Sequence, residues 1–158
     1  MSESPEITGG CLCGRVRYRV TGPVLWSSHC HCHYCRAAHG AAFVTWFGVD
    51  EQEFGLEAGN DSLRWYQSSV WSRRGFCSDC GTTLFFQSRQ SPNEMHIALA
   101  TADSDFSIKP SSHVFYDQHV SWLEINDDLP RIDSQSVSLA AYSVIPAVST
   151  KRREQQGD

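Results

Sequence analysis

The sequence of 158 residues lacks a long apolar run, an excess of basic residues and an internal repeat. A helix that spans a membrane needs about 20 consecutive apolar residues, and no segment reaches that length, so no membrane partner is expected. The opening residues Met-Ser-Glu-Ser-Pro-Glu show neither the basic start nor the apolar stretch of a secretory signal, which favours a cytoplasmic protein. The formal net charge of −5 disfavours a nucleic-acid surface. Small molecules or proteins are therefore the expected partners.

The cysteine content is high for one domain of this size. The chain has 41% hydrophobic residues and no linker, so it is expected to form a single core. Its seven cysteines are an odd number, and disulfides alone would leave one unpaired. In a reducing compartment, closely spaced cysteines more often hold metal ions or carry out chemistry than form structural bridges. We therefore predict zinc sites instead of a disulfide framework.

Short alternating runs predict a mainly β fold. Val16, Tyr18 and Val20 alternate with arginines, which is typical of a strand with one exposed face. Met95, Ile97 and Leu99 give a similar one-sided pattern in a strand predicted at 94–101. Further strands are predicted at 24–32, 43–49 (buried on both faces), 53–57, 63–67, 70–76 and 82–87. A helical turn is predicted at 34–39, and a short strand and a loop within 110–130.

The same patterns divide the chain into three parts. Residues 1–8 are polar and aperiodic, which predicts a flexible N-terminus. Residues 9–133 carry the predicted strands and all seven cysteines, and they form the predicted domain. Residues 134–158 have no clear period, so we expect a C-terminal extension that is partly disordered.

The segment around Cys30, Cys32 and Cys35 is the strongest sign of chemistry. Residues two apart in extended chain point to the same side, so Cys30 and Cys32 face one way. The two-residue gap to Cys35 allows a tight turn to bring its sulfur to the same metal ion. Three protein ligands are one fewer than the tetrahedral four of a structural zinc, and such a site can keep a position open for chemistry.

The other four cysteines form two half-sites. Cys11 and Cys13 are again two apart, and Cys77-Ser-Asp-Cys80-Gly81 is typical of a zinc knuckle. Joined, they would make a closed four-thiolate site. Spacing leaves another partition open, in which Cys77 and Cys80 pair with the Cys32-x-x-Cys35 segment and the remaining three cysteines hold a second metal.

Three segments together, Gly10–Gly14, Cys30–Arg36 and Arg74–Thr82, resemble the glutathione-dependent formaldehyde-activating enzyme family. All seven cysteines match the family pattern in order, and the resemblance covers about residues 9–133. It implies antiparallel sheets in a β-tent arrangement and two zinc ions. By this resemblance Cys11, Cys13, Cys77 and Cys80 hold a structural zinc, and Cys30, Cys32 and Cys35 hold the second.

The resemblance also implies a reaction. A zinc with three thiolates carries a net charge of about −1 and activates water poorly, but a substrate thiol can occupy its fourth position. The expected function is a zinc-dependent carbon–sulfur lyase that adds or removes a thiol such as glutathione at formaldehyde or a related small carbonyl compound. The alternative is a non-catalytic, zinc-stabilised β scaffold that binds a protein.

Histidines are the expected source of proton transfer, because an imidazole titrates near neutral pH. We rank His33 and His31 above His96, and we predict His33 as a catalytic residue beside the three cysteines. Two other interpretations compete. His31 would be a core histidine, and His33 would be a fourth ligand that closes the site.

The sequence gives a weaker signal for the side chains that could bind the substrate. Arg36, Arg73 and Arg74 could bind its carboxylates, although charged residues at strand ends are usually only solvated. Trp46, Phe47 and Trp71 could line a pocket, although aromatic residues in such strands more often form the core. His33 and Ala102 depart from the family pattern, and they are expected to reshape the pocket.

Overall fold

A computed structural model describes residues 6–103 and 108–142. The described part consists of strands and short helices connected by turns and by irregular loops, such as residues 119–130. The strands are β1 (Ile7–Gly10), β2 (Arg17–Val20), β3 (Trp26–Cys30), β4 (Val44–Asp50), β5 (Phe54–Ala58), β6 (Leu63–Gln67), β7 (Ser72–Cys77), β8 (Thr83–Ser88), β9 (Glu94–Ala98), β10 (His113–Val114) and β11 (Arg131–Ile132). The helices are α1 (His33–His39) and the 3-10 helices Glu51–Glu53, Leu99–Thr101, Tyr116–Gln118 and Val137–Tyr142.

The strands form two sheets. A three-stranded sheet has the order β1-β2-β5, and an eight-stranded sheet has the order β11-β10-β3-β4-β9-β8-β7-β6. Strand β10 pairs in parallel with both β3 and β11, and the remaining named pairs are antiparallel. The mainly β, single-domain fold is confirmed, with one sheet of mixed direction where antiparallel sheets were expected.

The main core lies between the two sheets. The side chains predicted to point inward are fully buried: Val16, just before β2, and Tyr18 and Val20 within it. They pack in one cluster with side chains of the larger sheet, including Phe47 and Phe85. The Tyr18 and Phe85 rings meet edge to face with centroids 5.5 Å apart. Burial of these side chains, about 1.5–3 kcal/mol each, is the main force that joins the sheets.

The larger sheet also buries part of its other face. Trp46 and Ala98 point away from the main core and pack with Phe86, Phe115 and the three clustered cysteines. Strand β4 is therefore buried on both faces, as its continuous apolar sequence predicted. The one-sided pattern predicted for β9 is wrong, because His96 is 6% exposed on the second face.

The two ends of the chain differ from expectation. The flexible segment predicted at 1–8 is wrong for Ile7 and Thr8, because Ile7 is 3% exposed and both residues pair with β2. Of the predicted extension at 134–158, the described part ends in the 3-10 helix Val137–Tyr142, with Leu139 buried. Residues 143–158 lie outside the described residues. Among the helices that the structure describes, none combines the length and the apolar character needed to cross a membrane.

Candidate metal centres and the adjoining cavity

The structure brings together Cys11, Cys13, Cys77 and Cys80. Their four sulfurs lie within 4.8 Å of one another, with 3.5 Å between the first two and 3.8 Å between Cys13 and Cys77. Zinc–sulfur bonds of about 2.3 Å in a tetrahedron place sulfurs about 3.8 Å apart. The donor set and its spacing therefore fit a four-thiolate metal centre.

Local turns explain how each half of this group forms. Gly81 has a φ of +79°, and its N–H donates to the Cys77 carbonyl at 2.8 Å. This left-handed conformation suits glycine and folds the knuckle so that both sulfurs face one point. Gly14, with a φ of +78°, makes the corresponding turn after Cys13 by donating to the Cys11 carbonyl at 3.0 Å.

Thr82, which was not a candidate from sequence, connects the two halves. Its hydroxyl oxygen accepts the Leu12 N–H at 3.1 Å and lies 3.2 Å from the Cys80 sulfur. The hydroxyl donates to that sulfur and lowers the pKa of Cys80 to about 5. A thiol held as thiolate is the form that a metal ion binds.

The second group consists of Cys30, Cys32 and Cys35, whose sulfurs also lie within 4.8 Å of one another and are buried. Cys32 is the N-cap of α1, and its sulfur accepts the Cys35 N–H at 3.3 Å. An N-cap side chain turns back toward the third helical residue, so the two-residue gap brings both sulfurs together. Cys30 completes the group from the end of β3.

Arg74 of β7 lies against this group. The side chain is 6% exposed, and both terminal nitrogens of its guanidinium lie 3.7 Å from the Cys35 sulfur. Hydrogen bonds from Cys30 and Cys32, together with the charge of Arg74, hold the pKa of Cys35 well below the usual thiol value. The guanidinium also lies 4.9 Å above the Phe86 ring. This cation therefore offsets negative charge on the Cys35 sulfur.

A cavity of about 380 Å³ adjoins the three sulfurs. Its lining is mainly aromatic, aliphatic and serine side chains, with Arg74 and Glu94 as charged members. Aromatic members include Trp26, Trp46 and Phe86. A concave apolar site with a few polar groups is typical of small-molecule binding.

One row of cross-strand neighbours forms part of the cavity surface. Arg74, Phe86, His96, Gly48 and Trp26 are successive partners across β7, β8, β9, β4 and β3. Cross-strand partners point to the same face of a sheet. The sheet register, which connects positions up to 70 residues apart in sequence, therefore collects these residues beside the cysteines.

His96 is held in this row by a specific set of contacts. Its Nε2 lies 2.9 Å from Glu94 Oε2, which also accepts the Trp26 indole N–H at 2.9 Å. The imidazole meets the Trp26 ring edge to face and lies against the Phe86 ring. The hydrogen bond from His96 and the smaller contribution of Trp26 lower the pKa of Glu94. The ionised carboxylate fixes the ring, with Nε2 as the protonated nitrogen.

The two histidines ranked higher from sequence do not line the cavity. His33 is exposed at the start of α1, and its Nδ1 lies 2.5 Å from the Arg36 guanidinium. His33 is absent from the three-cysteine group, and its catalytic role remains a prediction. His31 is 1% exposed, and its Nε2 contacts His113 Nδ1 at 2.8 Å. His31 therefore occupies a core position, as the competing interpretation stated.

Some of the arginine and aromatic candidates line the cavity, and others lie elsewhere. Only Arg74 of the three arginines lines the cavity. Arg36 donates to the His31 carbonyl at 3.1 Å, and Arg73 stacks over the Trp65 ring at 4.2 Å. Trp46 and Trp71 line the cavity, whereas Phe47 is fully buried in the main core, which is the more usual position for such residues. Alternation along β4 explains why neighbouring aromatic residues have different surroundings.

Comparison with known proteins agrees with the geometry. A family model described as glutathione-dependent formaldehyde-activating enzyme matches residues 6–118. A protein of Halomonas elongata, whose name assigns it provisionally to these enzymes, is 28% identical over 127 residues, covering 75% of this chain and 80% of the relative.

Two further similarities are more limited. An uncharacterized lyase of Schizosaccharomyces pombe is 34% identical over 82 residues, which cover 52% of this chain and only 58% of that relative's length. A crystal structure of a Rhodobacter sphaeroides protein superimposes with a TM-score of 0.54 at 25% identity, covering 63% of this chain and 91% of the other. Because the family match spans more than half of the chain and includes both cysteine groups, this chain belongs to the glutathione-dependent formaldehyde-activating enzyme family.

Proposed function

We propose that the chain is a zinc-dependent carbon–sulfur lyase. It would add a thiol of the glutathione type to formaldehyde or a related small carbonyl compound, and catalyse the reverse reaction. The observation that carries this proposal is the position of the three buried sulfurs of Cys30, Cys32 and Cys35 at the wall of a cavity of about 380 Å³. The names of the family and of its relatives support the reaction class.

The two cysteine groups would have different roles. The group at Cys11, Cys13, Cys77 and Cys80 offers four sulfurs, which suits a closed structural zinc. The group of three offers one ligand fewer. Zinc bound there would supply a Lewis acid with a free position at which a thiol is held as thiolate.

The reaction itself needs one new bond and one proton transfer. The substrate sulfur bonds to the carbonyl carbon, the π electrons of the C=O bond move to oxygen, and the proton lost by the thiol ends on that oxygen. His96 is the imidazole that lines the cavity. Because Nε2 faces Glu94, Nδ1 is the nitrogen that accepts the thiol proton and returns it to the product oxygen.

Arg74 would keep the site in the state that the reaction needs. Its guanidinium faces the Cys35 sulfur, so positive charge lies next to the thiolates when they bind metal. The aromatic walls limit access of water, which strengthens each of these charge interactions. The residues of this chain therefore orient the reactants and place a proton carrier beside them.

Exchange NMR with ¹³C-formaldehyde and glutathione tests the proposal. The zinc-loaded protein is expected to accelerate interconversion between free formaldehyde and the hydroxymethyl thioether above the spontaneous rate. Cys35→Ser is expected to remove this acceleration and about one zinc per chain while the fold persists. Unchanged metal content and unchanged exchange in Cys35→Ser would contradict the proposal.

The scaffold interpretation predicts a different outcome. It requires both metal ions to have four protein ligands, so zinc-edge X-ray absorption would show only cysteine or histidine ligands at full occupancy. It also predicts no acceleration of exchange by the fully loaded protein. Together those two results would replace the enzymatic proposal with the scaffold.

A further inference from the structure

The cavity has a wall that lies outside the part of the chain matched by the family model. The match ends at residue 118. Beyond it, Ile132, Ser138, Leu139 and Tyr142 line the cavity. The last three belong to the 3-10 helix Val137–Tyr142. This helix therefore helps to shape a site whose cysteines lie more than 100 residues earlier in the chain.

Leu139 and Tyr142 are the apolar part of this wall. Leu139 is 8% exposed, although its neighbour in the same helix, Val137, is 93% exposed. The Tyr142 ring meets Phe115 edge to face with centroids 6.4 Å apart. Burial raises the pKa of Tyr142 to about 12, so its phenol adds no charge to the cavity. One face of the helix thus packs on the cavity and the other faces solvent.

The charges that line the cavity already have partners. Arg74 faces the Cys35 sulfur, and Glu94 accepts hydrogen bonds from Trp26 and His96. Among the described lining residues, no other arginine, lysine or acidic residue occurs. A substrate carboxylate that entered would lose hydration without a dedicated cation, which is costly. An uncharged apolar group would instead bury its surface against the aromatic and aliphatic walls.

The cavity is also larger than formaldehyde requires. Its volume of about 380 Å³ lies in the range of about 300–1,000 Å³ that is typical of pockets for drug-sized ligands, whereas formaldehyde has only two heavy atoms. The space therefore has room for formaldehyde together with several heavy atoms of the thiol or of a larger carbonyl compound.

We propose that Leu139 and Tyr142 form a specificity wall that makes this chain accept substrates with an aromatic or branched aliphatic group next to the reacting carbon–sulfur bond. The inference rests on the proposed function, and it names the substrate class of that site. The apolar group belongs either to the carbonyl compound or to the thiol, since both components meet at the same bond.

Exchange NMR on the zinc-loaded full chain separates the two sources of the apolar group. The three arms are glutathione with formaldehyde, glutathione with phenylacetaldehyde, and benzyl mercaptan with formaldehyde. At least one apolar arm is expected to show a kcat/KM about tenfold above the first arm, because burial of a phenyl group contributes one to two factors of ten. Preference in the second arm assigns the group to the carbonyl compound, and preference in the third assigns it to the thiol.

Variants in the same helix test the wall. Leu139→Ala is expected to abolish the preference, mainly through KM, whereas the matched control Val137→Ala keeps it. Tyr142→Ala is a second variant in case Leu139→Ala fails to fold. Catalysed rates that are equal in all three arms, or the same preference in wild type, Leu139→Ala and Tyr142→Ala, would overturn the proposal.

A binding measurement distinguishes failure of the wall from failure of the proposed reaction. The uncharged, unreactive probe 4-fluorobenzyl alcohol is titrated into zinc-loaded protein and followed by ¹⁹F NMR. Binding by wild type and Val137→Ala that weakens about fivefold or more in Leu139→Ala supports the wall even if no arm shows catalysis. Absence of binding, or equal affinity in the three proteins, overturns it.

Discussion

At the level of single residues, His33 and His96 differ in whether they reach the cavity. His33 lies next to Cys32 in sequence, yet it is exposed at the surface. His96 lies more than 60 residues away from that cysteine and lines the cavity, with Glu94 holding its Nε2 at 2.9 Å. Closeness in sequence to the three cysteines was therefore a poor guide to closeness in space.

Substitution of these two histidines provides a direct comparison. His96→Gln is expected to lower the catalysed exchange rate by about 100-fold, because general acid–base catalysis typically contributes that much or more. His33→Gln should change the rate less than about threefold if proton transfer resides at His96. The reverse order of effects would restore the role predicted for His33.

His39 should make stability depend on pH. Burial, with a smaller effect of Arg74, lowers the pKa of His39 to about 4, and its Nε2 is buried without a hydrogen-bond partner among the described residues. The unfolded chain takes up this proton first as the pH falls. The free energy of unfolding should therefore decrease between about pH 6.5 and pH 4, by at most about 1.4 kcal/mol per pH unit for this group.

The matched variant is His39→Phe, which keeps an aromatic ring against Trp46. In the wild type the His39 and Trp46 ring centroids are 5.2 Å apart. Urea unfolding at pH 6.5 and pH 5 is measured for both proteins, with zinc content verified at each pH. The variant should lose less stability between the two pH values. Parallel losses in the two proteins would show that other groups carry the pH dependence.

At the scale of elements, α1 and the knuckle after β7 were predictable because their signals are local. Cys32 and Cys35 are the N-cap and third residue of one helix, and Gly81 makes a turn that depends on three or four neighbouring residues. The burial of strand β9 was harder to predict. Its second buried face depends on the aromatic cluster around Trp46 and Phe86, which no alternation within β9 can reveal.

Strand β4 offers a prediction at this scale. A Cβ on Gly48 would lie 2.3 Å from the Trp26 indole nitrogen, whereas Gly55 in β5 has no neighbour closer than 4.0 Å. Gly48→Ala should displace Trp26 from Glu94 and cost about 1–3 kcal/mol of stability. Gly55→Ala is the matched strand control and should cost less than about 1 kcal/mol. Urea unfolding measures the loss of stability, and tryptophan fluorescence measures the displacement of Trp26. Equal losses of stability in the two variants would contradict the predicted clash with Trp26.

At the scale of the whole molecule, the four-cysteine group connects the two sheets. Cys11 follows β1 of the smaller sheet, and Cys77 ends β7 of the larger one. A metal ion bound there would close a loop of more than 60 residues, and such closure favours the folded state. The group of three, by contrast, draws its ligands from one short segment, so it adds little to the connection of the sheets.

Loss of one ligand from each group should therefore have unequal effects. Cys80→Ser is expected to lower the melting temperature by about 10 °C or more, because it removes binding energy that stabilises the fold. Cys35→Ser should lower it by less than half as much while it removes catalysis. Calorimetry with metal analysis measures both, and a larger loss in Cys35→Ser would reverse the assigned roles.

The sequence by itself determined the mainly β fold, the buried alternation of β2 and the short cysteine segments, because each depends on neighbours within a few residues. Cysteine spacing left the pairing of the half-sites open, and the family resemblance favoured the pairing that the tertiary structure brings together. Only the tertiary structure placed Arg74, Glu94, His96 and Leu139 around one cavity. The physical reason is that strand register and the packing of the 3-10 helix Val137–Tyr142 join residues far apart in the chain. Those contacts exist only when both partners are folded, so no local pattern encodes them.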